Sequence, residues 1–246
     1  MVMVRLRSLK DEADRMGTEI FVENKEIVVP GTKLAQGRDF IAGTGTYWFD
    51  DCVVSKYLGI VYFKDRLVRV VPLAGKYDPR KGDTVIGIVE DVRFTSWLVD
   101  IGAPFLALLP AREILSPDQE EMIDLYRVQL KGDALLCRIA NVDRKKKVTL
   151  TMNEPGLRKL KRGKVIEIDA TKVPRVIGKH GSMISLIKEA TGCKIIVGQN
   201  GKIWISGEPE KEELAARAIK LIEARSHISG LTDKVKVLLE EEQIGE

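Results

Sequence analysis

The stretch "VIGKHGSMI", residues 176–184, decides how the C-terminal third of this chain is read. Gly178 and Gly181 bracket Lys179 and His180, with Ile177 and Ile184 to either side. Upstream, "KVIEIDA" (164–170) reads as a strand and "VPRVIG" (173–178) as a short helix. Downstream, "SMISLIKEATG" (182–192) puts Met183, Ile184, Ile187 and Ala190 at helical spacing, and Gly192 ends the run. "CKIIVGQNGKIWISG" (193–207) predicts two strands around the Asn200-Gly201 hairpin signal. "PEKEELAARAIKLIEAR" (209–225) predicts a helix with Leu214, Ala218, Leu221 and Ile222 on one face. The order is β-α-α-β-β-α. In it, "GKHG" joins the first two helices, where the glycines allow a tight turn with exposed backbone. The helix starting at Ser182 aims its free N–H groups at the loop, and Lys179 adds a formal charge. That suits a phosphate backbone. Other phosphate loops fail on spacing: there is no G-x-x-x-x-G-K-[ST], and no G-x-G-x-x-G follows a strand.

Composition narrows the function classes. The 246 residues carry a net charge of +4, and 31% are charged against 44% hydrophobic, which suits a soluble protein of one large domain or several small ones. No apolar run is long enough to span a membrane, and "MVMVRLRSLK" is too short and interrupted for a signal peptide, so a cytoplasmic protein is expected. Cys52, Cys137 and Cys193 are far apart among apolar neighbours, which predicts buried thiols rather than disulfides or zinc. His180 and His227 are the only histidines, and nothing groups them with a nucleophile or with carboxylates. No catalytic residue, metal ligand or cofactor site is therefore assigned. Charge is uneven: residues 154–202 hold 11 Lys/Arg against 4 Asp/Glu, and residues 203–246 hold 6 against 10. A basic block before an acidic tail is an electrostatic footprint for nucleic acid. The tail itself, "EEEQIGE", reads as a solvated, mobile end.

Two further units precede this one. Residues 1–75 contain "EIFVENKEIVVPG", "GTGTYWF", "CVVSKYLGIVYF" and "RLVRVVPLAG", short strand-like runs split by turn residues, after a polar arm "SLKDEADRMG". Tyr47, Trp48, Phe49, Tyr57, Tyr62 and Phe63 are more aromatics than a small core needs, and aromatics of this kind anchor interfaces. "KYDPRKGD" (76–83) is a linker. Five strand-like runs follow: "TVIGIVEDVRF", "SWLVDIG", "FLALLPA", "DALLCRIANVD" and "KKVTLTM". A helical piece, "SPDQEEMIDLYRV" (116–128), sits between the third and fourth. Five short strands with one helix after the third is the OB-fold pattern. "NEPGLRKLKRG" (153–163) is read as a second linker.

These motifs resemble known families. The "GKHG" unit resembles a KH domain, whose G-x-x-G loop clamps about four nucleotides. The resemblance makes Arg175, Ile177, Gly178, Lys179, His180, Gly181, Ser182 and Lys188 the candidate RNA contacts. Ile184, Ile187 and Ile195 are read as core, with a groove-edge role open for Ile177 and Ile195. "GDTVIGIVEDV", "LVDIG" and "RIANVDRKKKVTLTM" resemble the S1 RNA-binding barrel, in which RNA crosses one face. By that resemblance Asp143 and Lys147, with Arg144, flank the RNA, and Phe94 and Trp97 are the aromatics near the face. Trp97 has two readings, base stacking or packing against a neighbouring domain. The family's aromatic is replaced by Leu98, and its histidine position reads "LLPAR". A face poor in stacking groups favours backbone contact over base readout.

Taken in order, "VVPGTKL", "GTGTYW", "GDTVIG" and "GQNGKIWISG" are similar to the RNA-binding cap subunits of the archaeal RNA exosome. The fold expectation is multidomain and mainly β with α+β. It comprises an N-terminal β-rich domain (1–75), an S1-type OB barrel (76–153) and a KH domain with the acidic tail (154–246). The resemblance implies a subunit without catalysis of its own. It would form a trimer, alone or mixed with a zinc-ribbon cap protein, on a ring of RNase PH-like subunits. It would capture RNA, with a preference for A-rich strands, and thread 3′ ends to the ring for 3′-to-5′ decay. The aromatics of residues 1–75 would face the ring. The alternatives are a free-standing S1/KH RNA-binding or chaperone factor, or an RNA-degrading enzyme.

Overall fold

A computed structural model of the chain describes residues 19–113, 131–226 and 230–244. The expected arm at 8–17, the helix at 116–128 and His227 lie outside the described residues. The chain divides into two compact units, Met1–Gly75 and Lys76–Glu246.

The first unit is built from two four-stranded sheets. One has the order β1-β3-β6-β5, from β1 (Glu19–Ile20), β3 (Lys33–Gln36), β5 (Thr46–Phe49) and β6 (Cys52–Ser55). The other has the order β2-β7-β8-β4, from β2 (Ile27–Val28), β4 (Ile41–Ala42), β7 (Gly59–Lys64) and β8 (Leu67–Pro72). Leu34, Ala35 and Val53 of the first sheet share one core with Val28, Val61, Val68 and Val70 of the second. These β-branched and aliphatic residues alternate with exposed ones along β8, the pattern of a sheet with one dry face.

The second unit begins with a closed barrel. Its strands are β9 (Thr84–Arg93), β10 (Ser96–Asp100), β11 (Ala107–Pro110), β12 (Ala134–Val142) and β13 (Val148–Thr151). Pairings run β13-β11-β10-β9-β12 and close through β12–β13. All five expected barrel strands are present. Gly87 is required where β9 passes under β10, because a Cβ there would meet Val99 Cγ1 at 2.2 Å. The stretch read as a second linker also holds a short strand, β14 (Arg158–Leu160), paired with β12 outside the barrel. Its Leu160 is buried while Arg158 is exposed, too brief an apolar signal to stand out in a basic sequence.

The remainder is the expected β-α-α-β-β-α unit. It runs β15 (Lys164–Glu167), α1 (Val173–Ile177), α2 (Ser182–Thr191), β16 (Lys194–Val197), β17 (Lys202–Ser206) and α3 (Pro209–Ala224), with sheet order β15-β17-β16. Gly192 caps α2 in the left-handed conformation. A further helix, α4 (Leu231–Ile244), packs on α2 and α3, burying Leu231, Val235 and Leu239 at i, i+4, i+8 in the same core. The backbone of the stretch read as a mobile tail is therefore helical through Ile244. Its apolar stripe is spaced one residue per turn and diluted by charge, which hid it.

Candidate nucleic-acid interface

The "GKHG" loop has the backbone its glycines promise. Gly178 sits at φ 76°, ψ 176° and Gly181 at φ 81°, ψ 7°, both closed to most side chains. A Cβ at Gly178 would meet the Met183 nitrogen and Cβ at 2.8 Å, whereas a Cβ at Gly181 would point into open space. The first glycine is thus held by packing and the second faces outward. Between them His180 is left-handed too (φ 54°), a conformation that costs of order 1 kcal/mol for a residue with a side chain. Gly178 N donates to Pro174 O, which ends α1, and α2 begins with no side-chain cap. Its first N–H groups and the positive end of its dipole therefore face the loop. Lys179, His180 and Ser182 are exposed around it, as are Arg175 on α1 and Lys188 on α2. The structure brings these residues together along one α1–loop–α2 edge. Ile177 is half-buried and packs on the core, and Ile184, Ile187 and Ile195 are buried.

The barrel residues divide differently. Phe94 is 96% exposed at the tip of the β9–β10 turn. Trp97 is 0% exposed and belongs to the barrel's own core with Val99 and Ile101, so it is neither a stacking surface nor a contact to another domain. The reason is the strand period: Trp97, Val99 and Ile101 fall on the inner face, and Leu98 and Asp100 on the outer. Asp143 spends its carboxylate on the β12–β13 turn, its Oδ1 accepting from Lys145 N and Lys147 N at 2.8 Å each. It shapes the turn that displays the exposed Arg144, Lys145 and Lys147, while Lys146 pairs with Asp78 at 2.8 Å.

In the first unit Tyr47, Trp48 and Phe49 are all exposed along β5, an edge strand, and Trp48 and Phe49 line an open cleft with Phe40 and Ile41. The other three aromatics are more committed. Tyr57 lies under Lys56 Nζ at 5.2 Å and Tyr62 under the Arg69 guanidinium at 5.5 Å, while Phe63 packs on the core.

One set of contacts had no reading beyond a turn. The β16–β17 loop is a tight turn, Gly201 N donating to Gly198 O with Gly201 left-handed at φ 85°. Its side chains reach into the barrel. Asn200 Oδ1 accepts from Ile86 N at 3.2 Å, and Asn200 Nδ2 donates to Ile86 O at 2.8 Å and Ile101 O at 2.9 Å. Next to it, Thr84 N donates to Gln199 Oε1 and Gln199 N to Thr84 O. Asn200 and Gln199 thus act as a neighbouring strand for the part of β9 that β10 does not cover. Lys202, 2% exposed, pairs with Asp100 at 2.7 Å and Glu167 at 2.8 Å. Burial alone would raise the Asp100 carboxyl, but hydrogen bonds from Lys202 and Gly102 and the Lys202 charge outweigh it and hold it below the ordinary value. Burial likewise opposes the Lys202 charge, and the two carboxylates more than restore it, raising the ammonium above its ordinary value. An apolar patch completes the contact: Val165, Ile196 and Trp204 of the small sheet pack on Ile86, Leu136 and Leu160. Barrel and α+β unit are thereby one body with two exposed basic edges.

Among the described residues, no group of three or more His, Cys, Asp or Glu side chains is placed to hold a metal. No helix among them is long and apolar enough to cross a membrane. The three cysteines are buried and unpaired, and burial pushes the Cys137 thiol up to about 12.

Comparison with known proteins agrees with this geometry. Residues 163–223 match the KH domain family, and residues 25–74 match the N-terminal domain of the exosome RNA-binding protein RRP4. The chain is 45% identical over 217 residues to the exosome complex component Rrp4 of Methanothermus fervidus, covering 88% of this chain and 96% of that one. It is 45% identical over 230 residues to the Rrp4 of Methanopyrus kandleri, covering 90% and 96%. A crystal structure described as a candidate exosome complex RNA-binding protein superimposes with a TM-score of 0.65 at 36% identity, over 70% of this chain and all of that one.

Proposed function

This chain belongs to the archaeal Rrp4 family of exosome complex components, and from that premise we propose that it captures single-stranded RNA for a partner nuclease and cuts none itself. The observation that carries the reading is the "GKHG" loop, whose outward Gly181 and uncapped α2 N-terminus present backbone N–H groups beside the exposed Lys179. Such a site grips a phosphodiester backbone through N–H groups and a lysine charge. The basic β12–β13 turn supplies a second grip on the same rigid body.

Three working parts follow. Residues 1–75 dock on a ring of RNase PH-like subunits through the exposed Tyr47, Trp48 and Phe49. Residues 76–153 guide the strand, and residues 154–246 hold it. Three copies around one pore would act on a shared strand, so weak faces combine through effective concentration. The test is decay of poly(A) RNA by separately purified ring subunits, with and without this protein, beside the protein alone. The reading expects no decay by the protein alone, binding to the ring, and faster or more processive decay by the two together. Decay by the protein alone would mean an active site of its own. RNA binding without ring binding would make it a free-standing RNA-binding factor. Trp48→Asp should weaken ring binding and leave RNA binding as it is.

A further inference from the structure

The asparagines of this chain are Asn24, Asn141, Asn153 and Asn200, and of these Asn200 alone precedes a glycine. That order is chemically labile. Glycine carries no side chain to shield its backbone nitrogen, which can close a five-membered ring on the amide carbon of the asparagine before it.

Two separate demands fix this pair in place. Asn200 offers a carbonyl and two N–H donors, and the barrel engages them all: Oδ1 accepts from Ile86 N, and Nδ2 donates to Ile86 O and Ile101 O. Gly201 is left-handed, and a Cβ on it would meet Ile168 O at 2.2 Å, just beyond β15. No other residue meets either demand, so the lability comes with the contact. The closed structure also holds the reaction back. The nucleophile, Gly201 N, donates to Gly198 O, while the leaving nitrogen, Nδ2, is bonded to two carbonyls. The turn closes tightly on the amide, since a Cβ at Gly198 would meet Asn200 Oδ1 at 2.4 Å. At 5% exposure, Asn200 has little water beside it to carry protons.

We propose that Asn200 is a self-modification site, gated by the parting of the barrel from the α+β unit. Once they part, hydroxide takes the proton of Gly201 N, which attacks Asn200 Cγ. The N–Cγ bond forms, the Cγ–Nδ2 bond breaks, and Nδ2 takes a proton from water and leaves as ammonia, returning the hydroxide. Water then opens the succinimide. Opening at Cγ leaves aspartate at position 200; opening at the backbone carbonyl leaves isoaspartate, with the chain routed through the side chain. Either product sets an oxygen where Nδ2 faced two carbonyls, and isoaspartate adds a methylene to a turn of fixed length. At neutral pH the contact does not re-form as it was. The step runs one way, and it removes the common frame of the two basic edges. It does not depend on the RNA-capture reading.

The test incubates the full chain and a synthetic peptide of residues 194–206 side by side at pH 7. Proteolysis and mass spectrometry follow conversion of the amide to the acid. Three hydrogen bonds that must open first predict that the folded chain reacts roughly 100-fold more slowly than the peptide. Two variants loosen the contact without changing the sequence around Asn200: Leu136→Ala, in the apolar patch, and Asp100→Asn, which removes a partner of Lys202. Each should speed the reaction about 10-fold or more and leave the exposed Asn153 at its parent rate. Thermal melting checks that each folds, and either one suffices. The modified fraction, separated by its added negative charge, should exchange amide hydrogens across residues 84–88 faster than the parent, because that backbone has lost its partners. If the folded chain reacts within about threefold of the peptide, the contacts do not protect Asn200 and the gate is refuted. If the folded chain is slow but neither variant speeds it, the turn alone protects Asn200 and parting of the units is not the gate. If the modified fraction exchanges like the parent, the modification does not hold the contact open, and the proposal fails.

Discussion

Asn200→Asp changes one side-chain nitrogen to oxygen and should split the second unit's stability according to pH. In the native chain Asn200 Nδ2 donates to both Ile86 O and Ile101 O, and Oδ1 accepts from Ile86 N. The substitution keeps the acceptor and sets an oxygen against two carbonyls at a site only 5% exposed. One escape is to hold a proton, so that the new carboxyl donates to one carbonyl and loses only the other bond, worth about 1 kcal/mol. Holding that proton at pH 7, some 3 units above the usual aspartate value, costs about 4 kcal/mol more at about 1.4 per unit. The loss relative to the parent is then about 5 kcal/mol at pH 7 and about 1 kcal/mol near pH 4. The sign follows from linkage: the folded-state pKa is raised, so the variant's stability is retained below the unfolded value and lost as pH rises above it. Urea unfolding followed by tryptophan fluorescence reads this directly, since Trp204 lies in the adjoining apolar contact. A loss under about 1 kcal/mol at pH 7, or one that does not shrink toward pH 4, would refute the view that Asn200 substitutes for a strand.

Other outcomes follow from the same packing. Gly181→Asp should weaken RNA binding and lower the melting temperature only modestly, because its Cβ points into open space and the cost is that of a left-handed residue; Gly178→Asp should lower the melting temperature more, since its Cβ also meets the Met183 nitrogen at 2.8 Å. Trp97→Ala should cost about 3–5 kcal/mol in unfolding experiments, while Phe94→Ala should change stability little and RNA affinity more. Lys202→Met removes the partner that keeps Asp100 low. In the parent, the Asp100 contribution is present above its unfolded value of 3.8 and lost as pH falls through the lower folded value, whereas the Lys202 contribution is present below 10.5 and lost as pH rises through the higher folded value. An acid and alkaline unfolding series should therefore show the variant less stable at neutral pH and converging with the parent at both extremes.

What the sequence disclosed depended on how local the cause was. The "GKHG" loop was legible because glycine spacing and the helix after it fix the backbone within nine residues. The barrel strands were legible from turn residues and β-branched runs. Trp97 was legible in principle: the alternation of Trp97, Val99 and Ile101 marks the inner face. Asn200 was not legible as a contact. Asn-Gly signals a turn, and nothing nearby says that the turn's side chains are completed by residues 86 and 101, more than ninety positions away. The Asp100 partner of Lys202 is as remote, 102 positions away in the chain. The candidate contacts around the loop share one exposed α1–loop–α2 edge, which the loop's sequence anticipated, and the basic turn at 144–147 forms a second, separate edge.

The reach of Asn200 and Gln199 into β9 also sets an order of events during synthesis. The barrel strands emerge from the ribosome first, complete in number, yet with the backbone of Thr84 and Ile86 still lacking these partners and Ile86 and Leu136 not yet covered by Trp204. That half-made edge is the kind that captures other strands. It is sealed only after about fifty further residues have been made and the β16–β17 loop has folded back, a pairing of high sequence separation and hence slow to form. A chain cut short between the two would be an adhesive fragment rather than a smaller RNA-binding protein.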